Sequence, residues 1–264
     1  MKCRGALVAI AVAAWLGASG DAVGQETPPP KPVLKPRAPL PPPGFLDTCL
    51  KLMQEKRYED ARNLLIPVVS NHPGWAKAHF YLGLTYHKQL RYEEARELFE
   101  RSLELDPEYH APRVFHGWAL YYLGELPAAR RSFESYLAVE PDYPDAIFAL
   151  GLLDFDEDEI EAARARFERT IELAQASESK STESKSRARL ADVHIRTGEL
   201  KKAKQELERS IELNPSNYET YFKLSRVLER LGDAAGAELA RQMHRQVRER
   251  VRPAAPVKKQ VEKP

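Results

Sequence analysis

Three features of this sequence have residue types suited to chemistry: an acidic run, a scatter of histidines and a lone cysteine in the body of the chain. The run DFDEDEIEA, Asp154 to Ala162, sets carboxylates at Asp154, Asp156 and Asp158, the alternation with which a calcium loop begins. Glu159 then stands where such a loop needs glycine, and Ala165 where it needs a bidentate carboxylate. The run reads instead as an acidic, solvated turn between helices. The histidines are His72, His79, His87, His110, His116, His194 and His244, with no H-E-x-x-H and no Cys/His quartet to hold zinc. Neither a glycine-rich phosphate loop nor a G-x-S-x-G elbow occurs. No catalytic constellation, metal site or cofactor motif is found, so the sequence reads as non-catalytic. Cys49 reads as a small buried hydrophobe rather than a reactive thiol.

The elements that position these residues come in repeats. YEEARELFERSLELDP (Tyr92 to Pro107) returns as LKKAKQELERSIELNP (Leu200 to Pro215). Prolines close such phrases at Pro73, Pro107, Pro141 and Pro215, with spacings of 34, 34 and 74, the last being two periods plus six residues. A 34-residue period marks a helix–turn–helix solenoid. Six frames follow, beginning near Pro42, Ala76, His110, Pro144, Ser184 and Tyr218. The six surplus residues are expected in the serine-rich stretch ASESKSTESKS, Ala176 to Ser186, where lengthening a loop costs little. Within a frame the apolar spacing is 3 and 4, as on one face of a helix, and no strand alternation is seen.

The frames resemble the tetratricopeptide repeat. The second supplies Leu82, Gly83, Tyr86, Ala95, Phe99, Ser102 and Pro107 at its signature positions. The third supplies His116, Gly117, Leu120, Ala129, Phe133, Tyr136 and Pro141. The fourth supplies Leu150, Gly151, Asp154, Ala163, Phe167 and Thr170, with Gln175 in place of proline. The fifth supplies Leu190, Ala191, His194, Ala203, Leu207, Ser210 and Pro215, and the first and sixth fit less well. The resemblance implies an all-α fold: a right-handed superhelical solenoid of about six repeats, its terminal repeats degenerate. His116 and His194 fall at the family's packing positions and read as core or edge histidines.

The resemblance also implies a concave lining made by the first helix of each repeat. Positions 2, 5, 6, 9, 12 and 13 share that face. The second repeat places Lys77, Phe80, Tyr81, Leu84 and His87 there, and the third Val114, Phe115, Trp118, Tyr121 and Tyr122. The fourth adds Phe148, Leu152 and Phe155, and the fifth Lys185, Arg189, Asp192 and Arg196. The expected site is a groove, aromatic in the middle and basic toward its C-terminal end, for an apolar or helical partner segment with an acidic flank. The alternative is that the same aromatics pack against the neighbouring repeat. The family's clamp for a chaperone carboxylate is matched only by Lys185 and Arg189, with Val114, Trp118 and Ala149 at its other positions, so a cytosolic chaperone adaptor is not expected.

The termini complete the organisation. Lys2 and Arg4 precede the apolar run Ala6 to Ala18, with small residues before Gly20 and Gly24; residues 1–24 read as a secretory signal, and an uncleaved anchor is the alternative. Export to a bacterial periplasm or beyond is the expectation. Residues 25–43 are proline-rich and read as an extended spacer. The solenoid is placed at 44–250, and 251–264 is read as a disordered basic tail. Lys+Arg 40 against Asp+Glu 39 leaves no global charge to attract nucleic acid. Arg245, Arg248 and Arg252 read either as a solvated end-cap or as a weak contact to an anionic lipid or envelope polymer.

Overall fold

The computed structural model describes residues 40–252; the signal-like segment, most of the proline-rich spacer and the end of the tail lie outside them. The described residues form twelve helices in six antiparallel pairs. In chain order these are α1 (Phe45–Gln54), α2 (Tyr58–Asn71), α3 (Ala76–Lys88), α4 (Tyr92–Leu105), α5 (Ala111–Tyr122) and α6 (Leu126–Leu137). There follow α7 (Pro144–Asp156), α8 (Ile160–Ala176), α9 (Lys180–Arg196), α10 (Leu200–Leu213), α11 (Tyr218–Arg230) and α12 (Ala234–Val251). Each helix packs on its neighbours in sequence, and the first helix of a pair also rests on the first helix of the next, from α1 through α9. Between α9 and α11 that contact is looser. This is a helical repeat solenoid, as the period implied.

One local device turns the chain inside every pair. The residue at position 15 takes a left-handed conformation each time: Lys56, Leu90, Gly124, Asp158, Gly198 and Gly232. In the third repeat the Gly124 amide donates to the Tyr121 carbonyl and the Glu125 amide reaches back to Leu120. These are the two bonds of a Schellman ending. The same pair of bonds closes the first helix of all six repeats.

The junctions between pairs are made differently, and here the sequence expectation is corrected. Proline disfavours helix at the residue before it, and α2, α4, α6 and α10 all end short of theirs. Gln175 stands at that position in the fourth repeat, and α8 runs on to Ala176. The six surplus residues are therefore helix, not loop. Helix α8 is three residues longer than α10, α9 is four longer than α11, and the linker between them is one residue shorter than that from α10 to α11. Glu178, in the left-handed region at φ 54°, ends α8 with its own Schellman pair of bonds. Polar partners stabilise the added turns: Gln175 and Arg187 both donate to Glu183, at 3.0 and 2.8 Å, and Arg187 donates to Glu206 at 2.7 Å.

The core is set by one recurring pair. Phe99, Phe133 and Phe167 are fully buried, each against the glycine sixteen residues earlier. A Cβ on Gly83, Gly117 or Gly151 would meet the phenylalanine ring at 2.7, 2.7 and 2.8 Å, distances that force a shift. Where the second residue is Leu65 or Leu207, the first is Cys49 or Ala191, so a smaller partner admits a Cβ. Cys49 is fully buried, and desolvation pushes its thiol up to about 11, in keeping with a packing role. Gly117→Ala is expected to destabilise the protein by about 1–2 kcal/mol, overpacking outweighing the better helix propensity of alanine. In a Phe133→Leu background the same substitution should be neutral or stabilising. Urea denaturation of the four proteins tests this coupling, and additive effects would refute it.

The acidic run is only partly solvated. Asp156, Glu157 and Asp158 are exposed, but Asp154 is 3% exposed. It accepts from Arg130 at 2.8 Å and Arg166 at 2.5 Å, and Arg130 also reaches Glu157 at 2.8 Å. A buried carboxylate is tolerated here because two cations converge on it. Among the described residues no group of His, Cys, Asp and Glu could hold a metal ion, and no helix is long and apolar enough to cross a membrane.

Candidate groove on the first-helix face

The first helices of repeats two to six line a groove of about 660 Å³. Its middle is aromatic and ordered by stacking. Tyr92 stacks on Tyr122 at 4.5 Å between centroids, Tyr122 on Trp118 at 6.0 Å, and Tyr121 meets Trp118 edge-on at 5.8 Å. Tyr122 is 52% exposed, so one ring of the ladder is open to a ligand. Phe115, Phe148 and Leu152 continue the wall, and Lys185 and Arg189 stand at the far end.

Other expected lining residues are elsewhere. Phe80, at 5%, and Leu84, at 8% exposure, are covered: Phe80 lies 5.3 Å from Tyr109 at the end of its own repeat and 5.6 Å from Phe115 of the next, ring to ring. Val114 is buried too, in the adjoining core cluster with Leu120 and Phe133. Tyr81 packs toward Phe80 and the first repeat's core. Phe155 packs with Phe167 and Val193, and Arg196 is turned to Asp158 at 2.7 Å. For positions 5 and 9 of the second repeat, packing is thus the correct reading, because the neighbouring first helix needs an apolar seat there.

His87 lines the groove with both ring nitrogens buried and without hydrogen-bond partners. Its ring lies among Tyr92, Phe99, Phe115 and Tyr122. Desolvation, helped by the adjacent Lys88 charge, pushes its pKa down to about 4, so the imidazole is neutral at pH 7. The other two singled-out histidines are satisfied. His116 bonds Ser132 at 2.9 Å, and His194 pairs with Glu199 at 2.9 Å.

Further residues at concave positions of the frame also line the groove. Lys88 at position 13, Asp145 at position 2 and Ala188 at position 5 line the groove, as do Glu219 and Lys223 at positions 2 and 6 of the sixth repeat. Asp192 joins α9 to α11, accepting from Arg189 at 3.3 Å and Lys223 at 2.6 Å. Lys88 and Lys185 have no ion-pair partner among the described residues. At the other end of the chain, the basic helix is partly neutralised. Arg241 pairs with Glu229 and Glu238, Arg245 reaches Glu238 at 3.3 Å, and the Arg252 guanidinium lies 5.8 Å from the Tyr218 ring centre. Arg248 stays exposed.

Tetratricopeptide repeat models match residues 76–109, 116–178 and 184–217, two of these spans coinciding with frames set by the prolines. The chain is a tetratricopeptide repeat protein. Solved structures of similar fold include the APC/C hetero-tetramer Cut9–Hcn1, at TM-score 0.71 and 15% identity, covering 77% of this chain and 39% of that one. They also include pilF of Pseudomonas aeruginosa, at TM-score 0.64 and 17% identity over 80% of this chain and 92% of that one. MamA matches at TM-score 0.54 and 20% identity, over 64% of this chain and 96% of that one. At such identities the likeness is one of fold. A search of curated proteins gave no match. Tetratricopeptide repeats in general bind protein partners.

Proposed function

We propose that this tetratricopeptide repeat protein is a non-catalytic scaffold that holds a segment of a protein partner in its aromatic groove. The observation that carries this reading is the Tyr92–Tyr122–Trp118 ladder, with Tyr122 half in solvent at the mouth of a 660 Å³ recess. Tyrosine and tryptophan give large contact area at low entropic cost and dominate binding hot spots. The signal-like N-terminus supports an exported or periplasmic setting, with the proline-rich stretch as the spacer between envelope and solenoid. The basic end of α12 is the weaker candidate, since Glu229, Glu238 and Tyr218 already engage three of its arginines.

The test is affinity capture from the exported fraction by the mature chain and by a Trp118→Ala, Tyr122→Ala variant of equal thermal stability. A protein held by the first and released by the second is the expected result. Phe80 is left intact because its removal would disturb the core. Equal capture by both chains would show that the ladder is packing and would overturn the reading.

A further inference from the structure

We propose that the end of the groove between α9 and α11 is a carboxylate subsite, so that the bound segment carries an Asp or Glu side chain beside its apolar anchor. This rests on the groove reading above and specifies the partner's chemistry.

The first observation is a gap. First helices rest closely on one another from α1 to α9 but not between α9 and α11. The groove opens into that space, with Thr182 and Lys185 on one wall and Asn217, Thr220 and Lys223 on the other. The second observation is charge. Arg189 and Lys223 share a single carboxylate, Asp192, and Lys185 beside them has none. Asp145 and Glu219 are the anions in the groove lining, against the cations Lys88, Lys185, Arg189 and Lys223.

The third observation points to a ligand directly. Three threonines are buried in helices. Thr85 and Thr170 each donate to the carbonyl four residues back, at 2.9 and 2.8 Å. Thr220 is 1% exposed and its hydroxyl has no partner at all. It sits in the first turn of α11, so the residue four back, Ser216, precedes the helix and offers no helical carbonyl. A buried hydroxyl without a partner is costly, and native structures rarely keep one without a use. The N-terminal end of a helix adds partial positive charge at the same place. The Thr220 hydroxyl, the unpaired Lys185 and the N-terminus of α11 belong to the same end of the groove, and an anion satisfies all three. An acidic side chain fits a peptide groove whose next wall is aromatic.

The probe is a display library of random twelve-residue peptides, selected on the full chain. Selected peptides are expected to pair Trp, Phe or Leu with a nearby Asp or Glu. Selection on a Lys185→Gln, Lys223→Gln variant should keep the apolar residues and lose the acidic ones. A selected peptide and its Gln/Asn twin, titrated by fluorescence anisotropy, should differ about tenfold in Kd. Thr220→Val should weaken the acidic peptide several-fold while raising the midpoint of urea unfolding, since it removes a buried hydroxyl that lacks a partner. Binders without acidic enrichment, or acidic enrichment that survives both lysine changes, would overturn this subsite and leave the groove standing. Binders indifferent to Trp118→Ala and Tyr122→Ala, or no binders at all, would overturn groove and subsite together.

Discussion

Replacing Asp154 by alanine is expected to destabilise the protein by about 3 kcal/mol. Removing one partner from a buried ion pair typically costs 3–5 kcal/mol, because the charge left behind has lost its counter-ion without regaining water. Here two guanidiniums are left. Arg130 and Arg166 keep 22% and 33% of their side-chain surface exposed, so part of the lost interaction is recovered from solvent and the low end of the range applies. Glu157 still holds Arg130, at 2.8 Å. Adding Arg130→Ala to Asp154→Ala should therefore cost far less than Arg130→Ala does in the native background. The four midpoints of urea unfolding measure that coupling. A loss below about 1 kcal/mol for Asp154→Ala would mean that the network is held no more tightly than an ordinary surface pair.

Acidification is expected to weaken the fold through His87, and His87→Phe to remove that part of the effect. Burial holds the folded imidazole neutral down to about pH 4, whereas an imidazole in an unfolded chain takes up its proton near pH 6.5. The unfolded state therefore binds more protons between these values, and stability is lost as pH falls through that window. The full window corresponds to roughly 3 kcal/mol for this one group. Phenylalanine suits a site already walled by Tyr92, Phe99, Phe115 and Tyr122, and it carries no proton. The stability gap between His87→Phe and the native chain should widen steadily from pH 7 to pH 4. His79 and His116, whose pKa values are also pushed down mainly by burial, shift both proteins alike and cancel in the difference. A gap that stays constant with pH would show that the imidazole titrates normally.

Much of the architecture was legible because its cause is periodic. Small residues at Gly83, Gly117 and Gly151 and rings at Phe99, Phe133 and Phe167 repeat at the spacing of the contacts they make, so position in the frame stands for position in the core. The failures have one origin: they depend on a neighbour rather than on the residue itself. Phe80 belongs to the concave face by spacing, but Tyr109 and Phe115 close over it. The serine-rich stretch has poor helix formers, and what makes it helical is a missing proline together with Arg187 and Gln175 around Glu183. Asp154 sits where the repeat usually carries an aromatic, and only the two arginines from neighbouring helices explain its burial. Lys223, at position 6 of the sixth repeat, follows from the frame; Thr220, at position 3, lies outside the concave positions, and only its place in the groove lining and its unpartnered hydroxyl reveal it.

The contacts of each helix reach little farther than its second neighbour along the chain, and this has a mechanical consequence. A tension applied across the ends meets no single core that must rupture. It acts on five junctions in series, each yielding by a small rotation, so the molecule responds as a spring. First helices part between α9 and α11, and Asp192 bridges them there with Arg189 and Lys223. On the proposed reading, a segment wedged into that opening would stiffen the joint, and stretching the joint would in turn alter the grip on the segment. On that reading, load and occupancy are coupled through one interhelical gap.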